Sequence, residues 1–163
     1  MKRMKQRLAV GIAVSLSACA AFNGKPLLLP AVGPAPLETP AAKGQGFLVV
    51  YSGWVYDANF FNRPTDYILI SADGKMDRPI RNQSESFDQR PALVALPAGR
   101  YQVIARSETY GRIKVPVLIK ESRTTFVYLD IITQPRVAGS DTNKLVRLPD
   151  GSIVGWAAGA GDK

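Results

Sequence analysis

Residues 112–120 place Ile113, Val115, Val117 and Ile119 on one side of an extended chain and Arg112, Lys114, Pro116 and Lys120 on the other. A period of two is the signature of a half-buried strand, whereas a helix repeats every 3.6 residues. The pattern recurs from residue 47 onward. Residues 47–56 are rich in β-branched and aromatic side chains and read as a strand, as do 66–72. Asp73-Gly74 marks a hairpin turn, with 75–81 as the returning strand. Residues 82–90 are polar and read as a loop. Residues 92–96, 100–106 and 124–132 read as further strands, with Pro97-Ala98-Gly99 as a turn. Pro116 marks 112–120 as an edge strand or a bulge. Asp150-Gly151 predicts a second hairpin over 144–156. No long amphipathic helix and no internal repeat interrupts this rhythm. The expectation is an all-β chain, a single antiparallel β-sandwich over 46–156 that includes the C-terminal hairpin 144–156.

The N-terminal residues follow another logic. Lys2, Arg3, Lys5 and Arg7 precede eleven uncharged residues, 8–18. A spanning helix needs about 20 apolar residues, so this run is too short to cross a bilayer. A basic start before a short apolar run is the layout of a secretory signal peptide. It ends in Leu16-Ser17-Ala18-Cys19, and Cys19 is the only cysteine among 163 residues. This motif resembles the lipobox of bacterial lipoproteins, with an aliphatic residue, two small residues and then Cys. The resemblance implies cleavage before Cys19, transfer of a diacylglyceryl group to its thiol, acylation of the new amino terminus, palmitate-type chains on both, and attachment to a lipid bilayer through it. It also implies a cell-envelope location. Ala20 is not the Asp associated with inner-membrane retention, which favours the outer membrane in a Gram-negative cell. The competing reading is an ordinary small-x-small cleavage site at Ala18-Cys19-Ala20, which would discard Cys19 with the signal.

From residue 24 to 46, nine of 23 residues are Pro or Gly. That is above the roughly 25–30% that marks low-complexity chain. Proline lacks an N–H and biases its predecessor toward extended geometry. The expected organisation is a signal peptide (1–18), a tether (19–45), the domain (46–156) and a flexible tail (157–163). At about 3.1 Å per residue the tether would reach on the order of 70 Å. The alternative is that Leu27-Leu28-Leu29 packs on the domain as a covering strand.

Leu96-Pro97-Ala98-Gly99-Arg100-Tyr101-Gln102-Val103 resembles the LPxGxYxV hairpin of transthyretin-like sandwiches, including carboxypeptidase-regulatory-like and PEGA-type modules. Gly111, the Val115/Val117 alternation and Thr125-Phe126-Val127-Tyr128-Leu129 continue the likeness, which spans about residues 47–130. It implies a transthyretin-like or Ig-like accessory module, mostly non-catalytic, and carries over no site residue.

Composition narrows the chemistry. The chain has no His, which removes the commonest general base and every His-ligated metal site. One Cys makes neither an internal disulfide nor a Cys-rich zinc site. G-x-S-x-G, P-loop, S-x-x-K and G-x-G-x-x-G motifs are all missing from the sequence. Asp73-Gly74-Lys75-Met76-Asp77 lacks the EF-hand ligand pattern; Asp57, Asp66, Asp73 and Asp77 would form a calcium site only if their loops met in space, and read rather as turn carboxylates. No metal, cofactor or catalytic residue is expected. The net charge of +8 suggests nucleic acid, but residues 1–18 hold four bases and no acid. Without them 17 bases face 13 acids, a balance of +4, and a nucleic-acid partner loses its support.

Two side-chain groups stand out. Trp54, Tyr56, Phe60 and Phe61 form an aromatic cluster suited to stacking on a sugar or peptide, or to filling the core. Arg100, Arg106, Arg112, Lys114, Lys120 and Arg123 suit an anionic envelope polymer or lipid head groups, or protect a sheet edge. The expected function is a lipid-anchored, non-catalytic structural or interaction module meeting an unknown envelope protein or polysaccharide. The alternatives are a carbohydrate- or peptidoglycan-binding lipoprotein and a hydrolase whose paired carboxyls converge only in the fold.

Overall fold

A computed structural model describes residues 25–36, 39–56, 62–82, 90–135 and 144–159. The signal sequence, Cys19, Asp57, Phe60, Phe61 and the last four residues lie outside these. Among the described residues there is no α-helix, and the chain is all-β in several sheets.

The central ladder is β9 (Gly99–Ser107) against β10 (Gly111–Ile119), antiparallel over nine residue pairs. Val103 and Ala105 of β9 and Ile113, Val115 and Val117 of β10 are buried, while Arg106 and Arg112 are exposed, as the period of two requires. β6 (Tyr67–Ser71) lines the other side of β9 and turns through Asp73-Gly74 into β7 (Asp77–Ile80). Gly74 takes φ +70 there, which suits a residue without Cβ. The C-terminal hairpin is β12 (Leu145–Arg147) and β13 (Ile153–Ala157).

A three-stranded sheet holds β3 (Gln45–Tyr51) between β8 (Val94–Pro97) and β11 (Thr124–Tyr128). A small two-stranded sheet pairs β4 (Trp54–Tyr56) with β5 (Asn62–Pro64). The expected strand 47–56 is therefore two strands, broken at Ser52-Gly53. The Gly53 N–H donates to the Arg106 carbonyl at 2.7 Å, and a Cβ on Gly53 would lie 2.9 Å from the Glu108 nitrogen. This close approach bends the chain out of the three-stranded sheet.

The tether reading of 19–45 gives way to its alternative over the described residues. β1 (Leu27–Leu28) pairs in parallel with β10, and β2 (Val32–Gly33) lies between β10 and β13. Farther on, Ala35 N–H donates to the Thr124 carbonyl and Thr39 N–H to the Ser122 carbonyl. Leu29, Val32 and Ala35 are all buried. The prolines interrupt this segment without preventing pairing, because each two-residue strand fits between two of them. β2 thereby joins the C-terminal hairpin to the rest of the sheet.

Two further expectations change. Residues 92–106 are not a hairpin: β8 and β9 belong to different sheets. Only Ala98 separates them, and its N–H donates to the Gly44 carbonyl while Tyr101 Oη donates to the Pro97 carbonyl at 3.0 Å. These bonds carry the chain across from one sheet to the other. Nor is the pairing wholly antiparallel, since β1 and β2 run parallel to β10, and β11 runs parallel to β3. A single hydrophobic cluster draws on Leu48, Val50, Leu96 and Val127 of the smaller sheet and on Leu69, Val103, Val115 and Val154 of the larger.

Candidate functional site

The aromatic cluster and the basic cluster meet only in part. β4 leads out of the Ser52-Gly53 break and sets Trp54 beside the turn after β11. Its indole N–H donates to Asp130 Oδ2 at 3.4 Å. The Thr133 N–H donates to Asp130 Oδ1 at 3.0 Å, and Asp130 is 3% exposed. The neighbouring Ile131 N–H donates to Glu108 Oε2 at 3.2 Å, which ties the same turn to the β9–β10 connection. Trp54, Val55, Arg106, Glu108 and Ile131 line an open hollow of about 430 Å³.

Burial pushes the Asp130 carboxyl above its ordinary value. The hydrogen bonds from Thr133 and Trp54 oppose that rise, and the nearby Glu108 charge adds to it. Tyr51 and Tyr128 stack on the parallel β3 and β11, ring centroids 5.0 Å apart and 8° from coplanar. Burial first, then the charges of Tyr51 and Asp130, push the Tyr128 hydroxyl up to about 12. Tyr51 rises for the same reasons, burial and then Asp130. Both phenols therefore stay protonated at neutral pH. Asp130 acts here as a clamp, its two oxygens accepting from an indole and a backbone amide.

Tyr56 lies on β4, paired with Asn62, while its side chain and all of Phe60 and Phe61 lie outside the described residues. Of the predicted aromatics, Trp54 is thus the one placed at the hollow.

The basic residues divide. Arg106 and Arg112 stand directly opposite each other across the β9–β10 ladder, and Lys114 follows two residues along the same face. None of these three makes an ion pair within 4.0 Å among the described residues. Arg100 is six residues away along β9, about 20 Å at strand rise. It borders a separate hollow of about 360 Å³ with Ile70, Pro116 and Leu118. Lys120 follows the end of β10, and its carbonyl accepts from Arg123 N–H at 3.3 Å. Arg123 Nη1 donates to the Pro36 carbonyl at 2.9 Å, so it fastens the N-terminal segment.

The aspartates considered for calcium go separate ways. Asp66 Oδ1 accepts from Asn82 N–H at 3.0 Å, and Asp73 Oδ1 accepts from Lys75 N–H at 3.1 Å within its turn. Among the described residues no three His, Cys, Asp or Glu side chains come together as a metal site. No helix among them is long and apolar enough to cross a membrane.

Sequence reasoning missed Asp130, Glu108 and Asn82. Asp130 and Trp54 are 76 residues apart, and no local spacing announces that bond. Asn82, expected at the start of a loop, is fully buried. Its Nδ2 donates to the Val50 carbonyl at 2.8 Å and to Ser52 Oγ at 2.9 Å, and its Oδ1 accepts from Ala92 N–H at 3.3 Å.

Comparison with family models, with curated proteins and with solved structures found no match to this chain.

Proposed function

We propose that the chain is an exported lipoprotein, anchored through Cys19, whose β-rich domain is a non-catalytic structural or interaction module of the bacterial envelope. The observation that carries this reading is the position of the only cysteine, directly after Leu16-Ser17-Ala18 and a basic, then uncharged, leader. The chemistry fits: a thiol is the strongest nucleophile among the side chains that could accept a lipid at that point. Two or more acyl chains give stable anchoring, with each buried CH₂ contributing about 0.8 kcal/mol.

The finer architecture we propose is a β-sandwich of the transthyretin-like or Ig-like kind. It is supported by one core cluster shared between the eight-stranded and three-stranded sheets. The non-catalytic reading rests on the sequence, which has no His and no G-x-S-x-G, P-loop, S-x-x-K or G-x-G-x-x-G motif. The carbohydrate- or peptidoglycan-binding alternative draws on the hollow beside Trp54, where an aromatic face adjoins Arg106 and Glu108.

Expression with labelled palmitate tests the anchoring. Label on the wild-type chain and none on Cys19→Ala is expected, and equal labelling of both overturns it. Pull-down with purified peptidoglycan, comparing wild type with Trp54→Ala, decides for or against the alternative.

A further inference from the structure

Four large hydrophobic side chains stand out as exposed among the described residues: Leu28 at 65%, Leu93 at 60%, Ile131 at 65% and Ile132 at 74%. Three of them gather at one end of the domain. Leu28 on β1 is in register with Lys114 of β10, two residues from the opposed Arg106 and Arg112. Ile131 is hydrogen-bonded to Glu108 in the connection between β9 and β10, and it borders the same hollow as Arg106 and Trp54. Ile132 follows it in the turn.

We propose that this end is a lipid-docking rim, in which Leu28, Ile131 and Ile132 enter the interfacial layer of an anionic bilayer while Arg106, Arg112 and Lys114 meet its phosphates. The proposal rests on the anchoring through Cys19. β1 begins eight residues after Cys19, so the intervening chain spans about 28 Å at full extension. The end of the sheet where β1 enters is therefore kept within about 28 Å of the membrane surface.

Charge points the same way. Two arginines directly opposite on a strand pair repel, and an anion between them relieves that cost. The acids nearby are engaged: Glu108 accepts from Ile131, Asp66 accepts from Asn82, and Asp130 is buried. Trp54, half-buried with its N–H directed inward, is the kind of amphipathic ring enriched at membrane interfaces. A protein partner would also accept exposed isoleucines. The short lead from Cys19 and the unpaired basic face favour lipid.

The two tryptophans report on this directly, because Trp156 lies on β13 beside Gly33, away from the rim. The full chain, reconstituted in vesicles of phosphatidylethanolamine and phosphatidylglycerol with interfacially brominated lipid, is compared as Trp156→Phe and Trp54→Phe. Trp54 should be quenched at least about twofold more than Trp156, as expected for a ring in the interfacial layer. The difference should shrink in the Ile131→Ser/Ile132→Ser and Arg106→Gln/Arg112→Gln variants. Equal quenching of the two tryptophans in a chain that still sediments with the vesicles and carries lipid overturns the rim and leaves the anchor standing. A chain without lipid on Cys19 overturns the anchoring and this proposal with it.

Discussion

Trp54 and Asp130 meet through an indole N–H bond of 3.4 Å that joins β4 to the turn after β11. The carboxyl at its centre is buried and held above the ordinary value of 3.8, chiefly by burial. Such a group binds its proton more tightly in the folded state than in the unfolded one. Its cost is absent below the unfolded value and grows as pH rises through the folded value. The wild-type chain should therefore lose stability across that window. Asp130→Asn keeps an oxygen for the Thr133 amide and carries no charge. Relative to wild type, its melting temperature should be higher at pH 7 than at pH 4, and the reverse ordering would contradict burial as the main cause.

Asn82 ties together β3, the turn at Ser52 and the segment leading into β8. Replacing it with Ala leaves the Val50 carbonyl and Ser52 Oγ without their buried side-chain partner. Unsatisfied buried groups cost roughly 1–3 kcal/mol, so Asn82→Ala should destabilise by about 3 kcal/mol. Urea melting should show a lower midpoint at unchanged slope.

Val32 distinguishes a docked N-terminal segment from a free tether. It is fully buried between β10 and β13, opposite Val117 and Ala157. Val32→Ala should cost about 2 kcal/mol through lost burial and the cavity left behind. The Ala158 amide, bonded to the Ala31 carbonyl, should exchange faster in the variant. A tether residue would shift stability by no more than about 0.5 kcal/mol.

These residues show how far the sequence could be read. The alternation in 112–120 predicted the buried face of β10 residue by residue, and both Asp-Gly turns became hairpins. Pro97-Ala98-Gly99 misled because a turn signal announces a change of direction and not which sheet receives the chain. Val32 and Ala35 were hidden by the prolines around them, since a two-residue strand is too short to show any period. Asp130 and Glu108 came together through contacts 22 or more positions apart, which composition and spacing do not encode. The opposed arginines were visible as a basic cluster, but only the β9–β10 register separates Arg106 and Arg112 from Arg100 and Arg123.

The central claim is that the mature chain starts at a lipid-bearing Cys19. Mass spectrometry of the N-terminal peptide from membrane-isolated protein tests it most directly. A peptide beginning at Cys19, heavier than its sequence by a diacylglyceryl group and an amide-linked acyl chain, is the predicted result. An unmodified peptide beginning at Ala20 or Ala21, or one that retains the leader, would contradict it.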